Sequence, residues 1–400
     1  MEKERLWTKD FLSITIVNFV LWLSMYLLLV QMAPYAKQHY HASTSMAGLV
    51  ASIFVIGSLI GRLFAGKQIN AIGSKRMLIC SILLTVVFIF FYLVQTNLEQ
   101  LMIIRLLHGI GVGMSTTATG TIVAQVIPRA RNGEGIGYFS LSSVLATAIG
   151  PFIGIALAHA YGFRSIFLFS LAVGILSLAA AFLVNSPSPL KSQAEEGAEK
   201  SKSRFRLSDY LEVRALPIAL VTLVIGFCYS GVLSFLTVYA AEIDLVDASS
   251  FFFLVYALSA LLSRPVTGKL LDRRGGNVIT YPAFAAFAVG MLLFSQAHSG
   301  FVILAAAVFI GLGYGNLQSC TQSLALKVTP HHRMGLANST YFIFLDLGIG
   351  LGPFVLGYLV PIVGYRGLFL SIVAVILLGA LLYHPLHGKR DKELLRSQTV

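Results

Sequence analysis

The chain has 400 residues, of which 56% are hydrophobic and only 12% are charged. A soluble domain carries about 25% charged residues, so this composition excludes a water-exposed globular protein and predicts a membrane protein. The net charge of +12 would fit a nucleic-acid-binding protein. Most Lys and Arg residues, however, lie in alternate short connections and at the termini, which indicates membrane topology and no nucleic-acid partner.

Twelve apolar segments follow one another, each long enough to cross about 30 Å of hydrocarbon. Because backbone polar groups inside a bilayer must be satisfied within each segment, we predict an all-α protein of twelve transmembrane helices. The first six segments are 11–33, 44–65, 77–95, 101–125, 135–158 and 165–185. The last six are 215–241, 248–268, 277–297, 301–326, 334–360 and 367–386.

The positively charged connections alternate along the chain. One face carries cations at both termini, in the even-numbered connections and in a central polar stretch, whereas the other has only Lys37, Arg164 and Arg366. The positive-inside rule therefore predicts that both termini are cytoplasmic. The short loops are typical of a protein of the bacterial cell membrane.

A shift of 202 positions brings the two sets of segments into register without a gap. Pro128, Arg131 and Gly133 fall on Pro330, Arg333 and Gly335, with further matches at glycines and cations. We predict two six-helix bundles, 1–184 and 213–388, related by a pseudo-two-fold axis along the membrane normal. The polar residues 185–212 read as a solvated cytoplasmic linker, with a short surface helix at 204–206 as the alternative, and 389–400 as a cytoplasmic tail.

Cys80, Cys228 and Cys320 each lie inside an apolar run. Isolated cysteines at wide spacing form neither a disulfide framework nor a metal site, so we expect three buried structural thiols. The sequence contains no metal-ligand cluster and no nucleophile arrangement. We therefore expect no enzyme activity, no metal and no cofactor.

A charged turn follows the eighth segment, with the pattern Gly268-x-x-x-Asp272-Arg273-x-Gly275. Asp beside Arg at a helix end could latch helices together and release them when a cavity changes sides. Positive-inside topology plus a turn is the simpler explanation. With the twelve segments, this turn resembles motif A of the major facilitator superfamily, and the resemblance covers the whole chain apart from the linker.

The N-terminal copy of this turn departs from the family pattern. Gly66 and Gly73 are kept, but Asn70 stands where the family has Asp and Ala71 where it has Arg. We therefore expect no salt-bridge latch at this end, although Asn70 could cap a helix by hydrogen bonding.

Segment five contains Gly150-Pro151-x-x-Gly154, and segment eleven mirrors it with Gly352-Pro353. Small residues let helices approach closely, and a proline kinks a helix. The pattern resembles motif C of the antiporter and drug-exporter branch; generic helix packing is the alternative.

Two charged residues lie inside predicted segments. An arginine at the helix centre costs about 2.5–3.5 kcal/mol on insertion scales; Arg105, followed by His108, resembles motif B, which is implicated in proton movement in the family. Snorkelling to the outer end is the alternative for Arg105. Asp346 is the only carboxylate near the middle of a segment, and burial disfavours its charged form, so proton binding and a packing role both stay open.

In this superfamily, segments one, four, seven and ten line the substrate cavity. Their polar and aromatic residues fall at helical spacing, and interhelical hydrogen bonding is the alternative role for each. The cavity candidates are Asn18, Trp22, Tyr26, His108, Thr116, Tyr229, Ser234, Asn316, Gln318 and Gln322.

The resemblance implies a proton-driven exporter of small amphipathic compounds. It implies alternating access, a small-molecule substrate and protons as partners, and a monomer in the lipid bilayer. An importer or a sugar or metabolite carrier on the same fold is the nearer alternative. A non-transporting membrane sensor is the more distant one.

Overall fold

The computed structural model describes residues 5–42, 44–185 and 210–391, and these residues form helices and no strand. The greater part of the predicted linker, including the alternative surface helix at 204–206, lies outside the described residues. The last nine residues of the predicted tail, 392–400, also lie outside them.

Six long helices form the N-terminal half. They are α1 (Lys9–Tyr40), α2 (Thr44–Ile72), α3 (Ser74–Phe91), α4 (Leu98–Val126), α5 (Asn132–Tyr161) and α6 (Phe163–Leu183). The first segment was predicted to end before Pro34, but α1 continues through this proline to Tyr40. A proline removes only one donor from a helix, and the flanking turns retain theirs.

The C-terminal half repeats this order. It contains α7 (Leu216–Glu242), α8 (Val246–Arg274), α9 (Asn277–Ser295) and α10 (Gly300–Lys327). The last helical run, Met334–Leu386, contains the non-helical Gly364 and therefore comprises α11 (334–363) and α12 (365–386). Within the described residues, eleven runs are long and apolar enough to cross a membrane, and the division at Gly364 makes twelve helices of them, which confirms the predicted all-α fold.

Among the residues that the structure describes, four glycines with positive φ angles mark the duplication in the backbone. Gly73 (φ 90°) and Gly275 (φ 85°) form one pair, and Gly162 (φ 76°) and Gly364 (φ 67°) the other. Both pairs are separated by the 202-residue shift. Because L-residues are strained at these angles, the repeated glycines mark turns whose geometry is the same in both halves.

The chain divides into two compact units, and each contains helices from both halves of the sequence. The first comprises Met1–Pro128, Ile149–Arg214 and Thr329–Ile343; the second comprises Arg129–Ala148, Ala215–Val328 and Phe344–Val400. The start of α5 therefore packs with C-terminal helices, and the start of α11 packs with N-terminal helices. The unit boundaries fall inside α5 and α11.

Burial follows the pattern of a lipid-facing protein. Large apolar side chains such as Phe301 (80% exposed) and Leu262 (76%) lie at the surface, whereas Arg62, Arg105 and Arg264 are each 1% exposed. The expectation of three buried thiols is correct for Cys228 and Cys320. It is wrong for Cys80, which is exposed on α3.

Candidate functional site

In the first unit, predicted cavity residues of α1 and α4 meet through a hydrogen bond. The Oγ1 atom of Thr119 donates to Oδ1 of Asn18 at 2.9 Å. One turn earlier on α4, Oγ1 of Thr116 accepts a hydrogen bond from Nη1 of Arg62 at 3.0 Å. Asn18 and Thr116 are buried, so these polar groups satisfy one another inside the protein.

Aromatic rings adjoin this polar cluster. Trp22 stacks on Tyr26 with ring centroids 5.7 Å apart, and its ring centroid lies 6.3 Å from that of Phe342 on α11. The guanidinium carbon of Arg62 lies 4.6 Å from the Phe342 centroid. Arg62, on α2, thus contacts both the predicted residue Thr116 of α4 and Phe342 of α11.

Arg105 and His108 form a separate cluster between α2, α3 and α4. Nε of Arg105 donates to the carbonyl oxygen of Val50 at 3.1 Å, and its guanidinium lies 4.5 Å from the Phe54 ring centroid. Nδ1 of His108 lies 3.1 Å from Oη of Tyr92. Thr116 lies about three helical turns beyond Arg105 on α4, or roughly 16 Å at 1.5 Å per residue, and roughly 12 Å beyond His108. Arg105 and His108 are therefore not brought together with Asn18 and Thr116.

In the second unit, three tyrosines of α7, α8 and α10 stack on one another. The ring centroids of Tyr229 and Tyr314 lie 3.8 Å apart with nearly parallel planes, and Tyr256 also stacks on Tyr229, with ring centroids 5.6 Å apart. All three rings are buried. The predicted residue Tyr229 is thus part of an aromatic stack that the sequence did not reveal.

A π-helical turn, Gly311–Gly315, interrupts α10 directly before Asn316. Nδ2 of Asn316 donates to the carbonyl oxygen of Leu312 at 2.8 Å, and Nη2 of Arg264 donates to that of Gly315 at 2.9 Å. π-helical turns are rare and often lie at functional sites, and here two side chains donate to backbone carbonyl groups of the turn. Oδ1 of Asn316 also accepts from Thr267 on α8 at 2.9 Å.

The remaining candidates of this unit differ in burial. Gln322 is buried, Gln318 is half-buried and Ser234 is exposed. Asp346 on α11 is 9% exposed. These residues keep their predicted roles as proposals.

The end of α8 binds the start of α5 through the charged turn. The two carboxylate oxygens of Asp272 accept hydrogen bonds from the backbone N–H groups of Gly133 (2.7 Å) and Glu134 (3.0 Å). Nζ of Lys327 lies 2.9 Å from Oδ1 of Asp272. An acid at a helix N-terminus is favoured by both hydrogen bonding and the helix dipole. The cation paired with Asp272 here is Lys327, whereas Arg273 is exposed.

The end of α2 binds the start of α11 in the equivalent way, but without a carboxylate. Nδ2 of Asn70 donates to the backbone carbonyl oxygen of His332 at 2.7 Å. Oγ of Ser339 donates to the carbonyl oxygen of Arg62 at 2.7 Å. Gly66 lies so close to Ser339 that an added Cβ would be 2.6 Å from its hydroxyl. Asn70 therefore makes a hydrogen bond as expected, but as a donor to a carbonyl group and not as a helix N-cap.

The glycines of the antiporter-type pattern lie at close helix contacts. A Cβ at Gly154 of α5 would lie 2.9 Å from the carbonyl oxygen of Leu27 on α1. A Cβ at Gly348 of α11 would lie 2.2 Å from the carbonyl oxygen of Leu223 on α7. Gly150 likewise contacts Tyr26, and Gly352 contacts Ser230.

Arg62 and Arg264 are the main residues of these clusters that were not predicted from the sequence. They are equivalent under the 202-residue shift, and each donates from α2 or α8 to a hydroxyl group of the neighbouring long helix, Thr116 or Ser319. The shift itself was the signal that could have found them. Within the described residues there is no group of three or more His, Cys, Asp or Glu side chains that could hold a metal ion.

Comparison with known proteins adds to this geometry. A family model described as Major Facilitator Superfamily matches residues 14–353. An MFS-type transporter of Methanocaldococcus jannaschii is 27% identical over 379 residues, which cover 94% of this chain and 97% of that protein. The multidrug resistance protein MdtG of Dickeya zeae is 26% identical over 367 residues, covering 89% of this chain and 88% of the relative.

A solved structure, that of the human organic anion transporter MFSD10, is similar with a TM-score of 0.76 at 16% sequence identity. The similarity covers 93% of this chain and 98% of that one. At this identity the likeness extends to the fold alone.

Proposed function

Because the chain belongs to the major facilitator superfamily, we propose that it exports small amphipathic compounds by proton-coupled alternating access. Its family and fold are those of multi-pass membrane transporters and not of enzymes. The efflux direction is supported by a relative over most of the chain that is named a multidrug resistance protein.

One observation supports the proposal most directly: in each half of the sequence, the start of one helix packs on the end of a helix from the other half. The start of α5 is held on the end of α8 by Asp272, and the start of α11 is held on the end of α2 by Asn70. Contacts made of a few hydrogen bonds can break and re-form, which a change of access between two faces of a membrane requires. We propose that the protein lies in a bacterial cell membrane with both termini in the cytoplasm. In that orientation, these contacts would close the transport pathway at its cytoplasmic side.

The candidate substrate groups favour a neutral or weakly anionic amphipathic compound. Stacked rings, among them Trp22 with Tyr26 and Tyr229 with Tyr314, offer apolar surfaces with polar edges. Amide and hydroxyl side chains such as Asn18 and Asn316 offer hydrogen bonds. We propose that the transported compound contacts residues of these two kinds, and that the protein works as a monomer.

Asp346 is the proposed proton-binding residue, and Arg105 is a second proton-coupling candidate, which stays charged and would change its interaction partner between states. Asp346 is a buried residue of α11. The turn that leads into this helix contacts α2 through the carbonyl oxygen of His332. A carboxylate in a spanning helix is costly when charged, so its protonation would be coupled to the arrangement of that helix.

Replacing Asp346 with Asn tests this proposal. We expect Asp346→Asn to abolish uphill export driven by an imposed pH gradient in proteoliposomes while leaving downhill exchange of the same compound in place. The exposed Glu99→Gln variant serves as the matched control and is expected to export like the parent.

Unchanged uphill export by Asp346→Asn would contradict its coupling role. Movement of substrate only inward along the same gradient would favour an importer or a sugar or metabolite carrier. A candidate compound would come from resistance profiling of cells that overexpress the protein.

A further inference from the structure

Residues 210–214, which include the end of the linker, form a short segment that we call the strap. The Glu212 carboxylate accepts a hydrogen bond from Nε of Arg333 at the start of α11, and the two form an ion pair. The backbone N–H of Glu212 donates to Oγ1 of Thr340, one to two turns further into α11, at 2.8 Å. The Glu212 side chain is only 5% exposed, so this ion pair is shielded from solvent on the acid side.

The strap also contacts the end of α2. Nζ of Lys67 donates to Oη of Tyr210 at 2.9 Å and lies 4.4 Å from the centroid of the Tyr210 ring. Lys67 follows Gly66 directly, at the point where α2 packs on Ser339 of α11. The strap therefore binds both partners of the α2–α11 contact, one through Tyr210 and the other through Glu212.

The duplication shows why an acid is needed here. Arg131 at the start of α5 is equivalent to Arg333 and is paired with Glu134 of its own helix at 2.8 Å. The position equivalent to Glu134 in α11 is Leu336. Arg333 therefore lacks that local acid, and Glu212 of the linker occupies the corresponding role in the ion pair.

The same end of the molecule also lacks the carboxylate of the charged turn. Asp272 binds two backbone N–H groups of α5, whereas its equivalent, Asn70, makes one neutral hydrogen bond to α11. Charge-assisted hydrogen bonds are roughly twice as strong as neutral ones. Without the strap, the α2–α11 contact would be the weaker of the two.

We propose that Glu212 is a positioning residue of the transport cycle, and that the strap holds the α2–α11 contact closed until Arg333 is released. The linker is thereby a working part of the cytoplasmic closure and not only a tether between halves. This inference rests on the alternating-access function proposed above.

Accessibility of Ser339 provides the test, because this side chain is fully buried against α2. In the full chain with Cys80, Cys228 and Cys320 changed to Ser, a Ser339→Cys reporter is labelled with a bulky maleimide in detergent micelles. We expect Glu212→Gln to raise the labelling rate about tenfold, the effect of losing one charge-assisted hydrogen bond. The exchange of charges in Glu212→Arg with Arg333→Glu is expected to restore most of the protection, which a misfolded variant would not show.

Asp10→Asn is the matched control. Asp10 is another acid on the same side and accepts a hydrogen bond from the backbone N–H of Asn185, at the opposite end of the linker, at 3.0 Å. We expect this variant to label like the parent. Equal effects of Asp10→Asn and Glu212→Gln would mean general loosening of the linker and would overturn the inference.

Asp272→Asn separates this inference from the proposed function. If Asp272→Asn raises the labelling rate and Glu212→Gln does not, the strap has no role in closure while alternating access stands. If neither variant changes the rate, the proposed opening of these contacts fails, and the inference fails with it.

Discussion

Arg62 and Arg264 are long charged side chains held almost entirely inside the protein. Burying a polar or charged group costs free energy unless hydrogen bonds replace its contacts with water. Arg62 reaches Thr116 and the face of Phe342, and Arg264 reaches Gly315 and Ser319. Both residues therefore tie α2 and α8 to their neighbouring long helices.

Asp391 stabilises the start of α9 from the C-terminal end of the described chain. Its carboxylate oxygens accept from the backbone N–H groups of Gly276 (2.8 Å) and Asn277 (2.9 Å). Burial alone would raise the pKa of Asp391, but the interaction with His387 and the two backbone hydrogen bonds outweigh burial and hold this pKa below its ordinary value.

Asp391→Asn should consequently destabilise the protein in a pH-dependent way. Because the pKa is lower in the folded than in the unfolded protein, the carboxylate stabilises fully above the unfolded-state pKa. That contribution disappears as the pH falls through the lowered folded-state pKa. We expect the variant to lose about 1 kcal/mol at neutral pH, because the amide keeps only one of the two acceptor oxygens and carries no charge.

Melting temperatures in detergent, from neutral pH to below the ordinary aspartate pKa, measure this effect. The difference between parent and variant should shrink on acidification. Glu242→Gln, at an exposed acid, should give no such difference. A constant gap between parent and Asp391→Asn at every pH would contradict the titration argument.

At the scale of helices, equal sequence patterns fold differently in the two halves. Gly109-x-Gly111-x-Gly113 lies in the regular helix α4, whereas the equivalent Gly311–Gly315 forms a π-helical turn in α10. Glycine permits both conformations, because it has no Cβ atom that could clash with a closely packed neighbouring helix. In α10 the π-helical turn accepts hydrogen bonds from the side chains of Arg264 and Asn316. The glycine pattern by itself does not predict these hydrogen bonds.

Two glycines of α11 allow a matched test of close packing. A Cβ at Gly348 would lie 2.2 Å from a backbone carbonyl oxygen of α7, whereas nothing lies within 4 Å of a Cβ at Gly357. We expect Gly348→Ala to lower the free energy of unfolding by about 1–3 kcal/mol because α7 and α11 must move apart. Gly357→Ala should be neutral, or stabilising by up to about 1 kcal/mol through helix propensity.

Thermal unfolding of both variants, followed by helical circular dichroism, distinguishes these outcomes. Similar melting temperatures for Gly348→Ala and Gly357→Ala would mean that the α7–α11 approach is not tight.

For the whole molecule, the two closing contacts are equivalent in position but not in chemistry. Asp272 accepts two backbone hydrogen bonds, whereas Asn70 donates one to the carbonyl oxygen of His332. Returning the family's acid with Asn70→Asp would therefore remove a donor and place a carboxylate against a carbonyl oxygen. We expect this variant to weaken the α2–α11 contact and to change the turnover rate.

Transport rates in proteoliposomes measure the effect of Asn70→Asp, with the exposed Arg76→Gln as the control on the same turn. Faster labelling of a Ser339→Cys reporter should accompany the change. Turnover and labelling both equal to those of the parent would leave position 70 without a role in closure.

The sequence predicted the large features of the fold because these depend on composition and periodicity alone. Twelve helices follow from apolar length, and the repeated turns at Gly73 and Gly275 follow from the 202-residue shift. The partners of single side chains could not be predicted in this way. The cation beside Asp272 is Lys327 in place of Arg273, and the acid beside Arg333 is Glu212. In both ion pairs the two partners are distant in sequence.

The absence of an acid at position 336 matters for anyone who splits or circularly permutes this chain. Because the acid beside Arg333 is encoded upstream of α7, a C-terminal half produced from a start codon after residue 214 would lack the carboxylate that forms an ion pair with Arg333. Split or permuted versions of the transporter should keep residues 210–214 attached to that fragment. Tags and reporters are better inserted further upstream in the polar stretch.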